Sequence, residues 1–92
     1  MNSKNLPISN IDGSDIHPTV VRSAKDVGFL ARKARKKQAL TQGDLSGLSL
    51  TGNRFIVDLE GGKGTVQFDK VMHILSMLGL EIVVQPKGYR KK

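Results

Sequence analysis

Asn53 and Arg54 stand side by side in the run TGNRFIVDLEGGK, with Asp58 four residues beyond Arg54. Asn and Arg are the side chains whose paired polar groups match the edges of adenine and guanine, so together at the exposed start of a helix they have base-reading chemistry available. The spacing puts them there. Phe55, Ile56 and Leu59 recur at core spacing, which predicts a helix showing Asn53, Arg54 and Asp58 on its opposite face.

A second short helix must precede that one. Thr41 is suited to cap it through its hydroxyl, leaving Gln42 at the first helical position with donors pointing outward, a start that suits a phosphate. Leu45 and Leu48 are expected to face inward before Ser49, Leu50 and Thr51 break the pattern. Residues 40–63 therefore read as two short helices joined by a tight turn, the arrangement by which proteins offer a helix to the DNA major groove. The plainer reading of the same residues is a solvated face in an ordinary helical domain.

The runs LTQGDL, NRFIVDLEGGK and TVQFDKVMHILSMLGLE resemble, in order and spacing, the phage-repressor-like (XRE) helix-turn-helix family. Within it they are most similar to the HipB-type antitoxin regulators. The resemblance spans Ser23 to Val84 and implies a mostly α, lambda-repressor-like domain of about four helices, dimeric through a C-terminal β-element. By match to the repressor pattern, Asn53 and Arg54 are the base readers, and Gly52 allows close backbone approach. Asp58 is either a third contact, accepting from a cytosine amino group, or an orienting partner for Arg54. The second role is favoured because a carboxylate near phosphates is repelled. Thr41, Gln42 and Lys63 would clamp the DNA backbone, setting register without carrying sequence information. The family also pairs an arginine of the first helix with a glutamate ending the recognition helix, here Arg35 and Glu60. There is one departure. Family members usually place Gly in the turn, and Leu50 stands there instead, so either the turn takes another conformation or Leu50 is strained.

Charge is uneven along the 92 residues, whose formal total is +7. Residues 20–40 carry +6, from seven cations opposed by Asp26, and residues 87–92 carry +4, whereas residues 41–86 sum to −2 and residues 1–19 to −1. The cluster Arg32, Lys33, Arg35, Lys36 and Lys37, with the tail Lys87, Arg90, Lys91 and Lys92, would supply salt-dependent attraction to phosphate. A solvated helix face and a frayed tail are the alternatives.

The remaining elements follow from spacing and punctuation. Residues 1–19, with Pro7, Gly13 and Pro18, read as a flexible arm; residues 20–86 as the DNA-binding and dimerisation domain; residues 87–92 as a basic tail. Thr19–Arg22 is expected as a short strand. Ser23 would cap a first helix with Val27, Leu30, Ala31 and Ala34 inward, ending near Gln38. Gly61 and Gly62 would stop the recognition helix, and Thr65 would cap a fourth with Phe68, Val71, Met72, Leu75 and Leu78 inward, ended by Gly79. Leu80–Gln85, rich in Ile and Val and stopped by Pro86, reads as a strand whose natural partner is the same strand of a second copy. Ile74 and Met77, off the main stripe, are expected at that dimer interface with Leu80, Ile82 and Val84.

Other chemistry is disfavoured. There is no Cys, and His17 and His73 lie far apart without ligand spacing, so no metal site or cofactor is expected. The string Gly61, Gly62, Lys63, Gly64, Thr65 follows a helix, lacks a leading glycine and interposes Gly64, so it is not a phosphate loop. No nucleophile-and-base motif or placeable carboxylate pair appears, and an enzyme is not expected. The apolar runs are shorter than a membrane span and the N-terminus lacks a signal peptide's apolar region, so a cytoplasmic bacterial protein is expected. RNA binding is less attractive because Phe29, Phe55 and Phe68 look inward-facing. The reading that results is a homodimeric repressor of an inverted-repeat operator on double-stranded DNA. The HipB resemblance adds autoregulation of a toxin–antitoxin operon and restraint of a HipA-type serine/threonine kinase. A stand-alone repressor without a toxin, or an interaction adaptor that has lost DNA binding, are the alternatives.

Overall fold

The computed structural model describes residues 16–89, which form four helices: α1 (Ala24–Lys37), α2 (Gln42–Ser49), α3 (Asn53–Glu60) and α4 (Phe68–Met77). Local chemistry sets most of the boundaries. Ser23 Oγ accepts from Asp26 N at 3.3 Å, while Asp26 Oδ2 accepts from Arg22 N at 2.8 Å, closing the start of α1 from both sides. Arg35, Lys36 and Lys37 fill its last turn, where cations complement the helix dipole. Gln38 caps its end and sends Nε2 to Leu78 O at 3.0 Å, tying the close of α1 to the close of α4. At α2, Thr41 and Asp44 make a full capping box. The two hydrogen bonds from Thr41, backbone first and hydroxyl second, hold the Asp44 carboxyl below its ordinary pKa.

The core is a single cluster of Ala31 and Ala34 from α1, Leu45 from α2, Ile56 and Leu59 from α3, and Val71, Ile74, Leu75 and Leu78 from α4 and its cap. Burying each of the large members contributes about 1.5–3 kcal/mol. Val27, Leu40, Phe55, Val66 and Leu80 pack around its edge, as does Ile16. Gly28 lies where α1 meets the end of α3: a Cβ there would stand 2.2 Å from the carbonyl oxygen of Leu59. Only a residue without a side chain permits that approach.

Several sequence expectations are corrected. Leu48 is exposed, because the buried line of α2 runs through Leu45 and Ser49, four residues apart, which turns Leu48 outward. On α4 the buried stripe is Val71, Ile74, Leu75 and Leu78, so Ile74 is 0% exposed and belongs to the core, not to an interface. Phe68 and Met72 are exposed. The two candidate stripes share Val71, Leu75 and Leu78, and spacing alone does not separate them. Phe29 is exposed as well, leaving Phe55 as the inward phenylalanine. Gln67, not Thr65, is the N-cap of α4, and it makes no side-chain cap bond.

Neither expected strand forms within the chain. Among the described residues no segment pairs into a sheet, and Thr19–Arg22 and Leu80–Gln85 run without regular structure. A strand needs a ladder partner, and no other described segment supplies one. Leu80 is half-buried against the core, whereas Met77, Ile82, Val83 and Val84 are exposed. Most of the expected N-terminal arm (residues 1–15) and the end of the tail (residues 90–92) lie outside the described residues. No helix among the described residues is long and apolar enough to cross a membrane.

Candidate nucleic-acid interface

The two short helices are locked to α1 by one buried ion pair. Arg35 Nε donates to Glu60 Oε2 at 2.6 Å and its Nη2 to Oε1 at 2.8 Å, with 7% and 3% of the two side chains exposed. The third edge of the guanidinium, Nη1, donates to Leu40 O at 2.7 Å, and Gln42 Nε2 reaches Glu60 Oε1 at 3.1 Å. The hydrogen bonds that Arg35 donates to Glu60 raise its pKa above the ordinary value, against the burial that lowers it. One cluster therefore joins α1, the α1–α2 connection, the first residue of α2 and the last of α3. Arg35 is thereby withdrawn from the surface cation cluster in which its position had placed it.

At the other end of α3 the arrangement is open. Gly52 is an N-cap without a side-chain hydrogen bond, and nothing lies within 4 Å of where its Cβ would be. Asn53 and Arg54 follow, both exposed, with the Arg54 side chain 84% accessible. Arg54 meets Asp58 through Nε, 3.3 Å from Oδ1, and Lys63 Nζ approaches Oδ2 of the same carboxylate at 3.5 Å. So exposed a pair adds little stability, about 0.3–0.5 kcal/mol, but it restrains the arginine while, among the described residues, its two terminal nitrogens stay unengaged. Those nitrogens are the fork that matches guanine O6 and N7. Asp58 thus lies between two cations, Arg54 and Lys63.

The start of α2 is differently prepared. Thr41 Oγ1 accepts from Asp44 N at 2.9 Å, so its own hydroxyl proton is left to donate outward. Gln42 is half-committed, since its amide nitrogen serves Glu60. Beside them an open groove is lined by Arg32 and Lys36 of α1 together with Thr41 and Gln42. Sequence reasoning counted Arg32 and Lys36 only as diffuse charge. Their i, i+4 spacing near the end of α1 was the signal that both share the face beside the next helix.

The turn resolves the question posed by Leu50. Its backbone is left-handed, φ 59° and ψ 30°, and its side chain is 92% exposed. A non-glycine residue there is strained, and side-chain hydrogen bonds surround it. Ser46 Oγ donates to Thr51 O at 2.6 Å, Ser49 Oγ to Leu45 O at 2.7 Å, and the Ser49 and Thr51 hydroxyls lie 2.8 Å apart.

Helix, strained turn and open second helix are thus built as one unit on a fixed frame. No protein-family model matches the chain. It is, however, 44% identical over 72 residues to the uncharacterized HTH-type transcriptional regulator y4mF of Sinorhizobium fredii (strain NBRC 101917 / NGR234), a match covering 78% of this chain and 95% of that protein. The chain belongs to the helix-turn-helix transcriptional regulators. In this regulator the helix-turn-helix is α2, the Leu50 turn and α3. Thr41 and Asn53 stand at the separate N-terminal ends of the two helices, Thr41 as the N-cap of α2 and Asn53 as the first residue of α3.

Proposed function

We infer that this regulator is a sequence-specific, homodimeric DNA-binding repressor that lays α3 of each copy in the major groove of an inverted-repeat operator. The observation that carries the reading is the bare start of α3, where Asn53 and an Arg54 restrained by Asp58 face outward with their recognition groups unpaired. Thr41, Gln42 and Lys63, joined by Arg32 and Lys36, hold phosphates on either side. Half-sites lie about 10 base pairs apart or a multiple of that. The chemistry is binding, without an enzymatic step, and the setting is the bacterial cytoplasm.

Dimerisation is supported by the exposed apolar residues Met77, Ile82, Val83 and Val84 and by a C-terminal segment whose backbone lacks a ladder partner among the described residues. Leu80–Gln85 pairs with its copy as a two-stranded element, which the HipB-type resemblance favours. The same resemblance supports the antitoxin role, with autoregulation of the operon and a HipA-type kinase as second partner.

Fluorescence anisotropy tests the DNA reading, comparing DNA from upstream of the protein's own gene with a scrambled duplex across a salt series. The parent is expected to prefer its own DNA. Arg54→Ala is expected to lose about 1–3 kcal/mol of that preference per half-site while keeping weak, salt-sensitive binding. Equal binding of both duplexes by parent and variant overturns the assignment.

A further inference from the structure

The ends of α1, α3 and α4 are closed by backbone N–H groups that return to carbonyls of the last turn. The end of α2 has no such closure. What stands in its place is a set of side chains, of which one comes from another element: His73, on α4, lies with Nε2 3.1 Å from the carbonyl oxygen of Ser49. That carbonyl can only accept, so Nε2 carries the proton. Ser49 is the last residue of α2 and immediately precedes the left-handed Leu50. Within the turn, Ser49 Oγ gives its proton to Leu45 O, so the Thr51 hydroxyl donates to Ser49 Oγ, and Ser46 Oγ closes on Thr51 O.

We propose that His73 is a positioning residue for α3: its bond to Ser49 O holds the α2–α3 turn in a left-handed conformation that Leu50 resists, and so fixes the angle at which Asn53 and Arg54 are presented. The turn has no intrinsic reason to stay left-handed. An L-residue without a local polar side chain disfavours that region, and Leu50, almost wholly exposed, gains nothing from packing. The Ser46, Ser49 and Thr51 bonds are all internal to α2 and the turn and can travel with it. Among the side-chain hydrogen bonds of the described residues at the turn, the His73 bond is the one that reaches α4, which is anchored in the core by Val71, Ile74, Leu75 and Leu78. Strain at the turn is thus met by a fixed element at the start of α3, the end opposite the one that Glu60 ties to Arg35.

Amide hydrogen exchange on the DNA-free protein tests this with His73→Ala, Leu50→Gly and the double variant. The reporter is Phe55 N–H, which bonds to Gly52 O at 3.0 Å in the first turn of α3. In His73→Ala its exchange is expected to rise about tenfold while the amides of α1 stay as in the parent. In the double variant, where glycine accepts the left-handed turn without strain, exchange is expected to return to within about twofold of the parent. An unchanged rate in His73→Ala, a uniform rise across all helices, or a double variant as fast as His73→Ala overturns the proposal. The consequence for DNA rests on the major-groove reading of α3: His73→Ala reduces the preference for own over scrambled DNA, and Leu50→Gly restores it. If the parent shows no such preference, the groove reading fails, and the exchange rates still decide the role of His73.

Discussion

Glu60→Ala is expected to lower the free energy of unfolding by about 3–5 kcal/mol, the cost of leaving a buried charge without its partner. Arg35 makes three hydrogen bonds, two to Glu60 and one to Leu40 O, and Gln42 donates to the same carboxylate. With only 7% of its side chain exposed, the guanidinium cannot turn to water when the carboxylate is removed. Domains of this size have total stabilities of about 5–15 kcal/mol, so the variant retains a narrow margin. Urea unfolding should show a lower midpoint at unchanged slope. Replacing both partners with apolar residues would recover only part of the loss, because Leu40 O would then stay unpaired at about 1–3 kcal/mol. A Glu60→Ala midpoint equal to the parent's would show that the pair does not hold the frame.

Gly28→Ala is the second large effect, and its sign is the point. In most helix interiors this change stabilises by about 1 kcal/mol. Here the added methyl would stand 2.2 Å from Leu59 O and 3.0 Å from Glu60 O, both backbone atoms in the last turn of α3 that cannot move aside as a side-chain tip can. Relief requires α1 and α3 to separate, and overpacking of that kind costs about 1–3 kcal/mol or more. That shift would also pull Glu60 from Arg35, so the net loss is expected at the upper end, about 3 kcal/mol. Gly47→Ala is the control. It lies within α2 with nothing inside 4 Å of the new methyl, and should stabilise by about 0.5–1 kcal/mol. Opposite shifts in the two melting temperatures support the close α1–α3 packing, and two rises would refute it.

These two residues mark what the sequence could and could not say. The helix starts at Ser23 and Thr41 were legible because capping is local chemistry, written within four residues. Asn53, Arg54 and Asp58 were legible as one outward face because Ile56 and Leu59 fixed the opposite one. The partnership of Arg35 with Glu60 came from resemblance, since nothing local joins residues 25 positions apart. Gly28 carried no mark at all, because its need is set by the backbone of another helix. Ile74 was misplaced for a related reason: two stripes on α4 fit the same period, and only the positions of α1, α2 and α3 select between them. The Leu50 turn was recognised as unusual from its residue type, but the compensation from His73 comes from a helix 24 positions further on.

The most direct measurement is a nitrogen-15 NMR titration of the whole chain with duplex DNA from upstream of its own gene. The expected result is that the largest amide and arginine side-chain shifts fall at Gly52–Arg54, with a second group at Arg32, Lys36, Thr41 and Gln42. Largest shifts on Phe68 and Met72 of α4, with Gly52–Arg54 unmoved, would contradict the presentation of α3 to the groove.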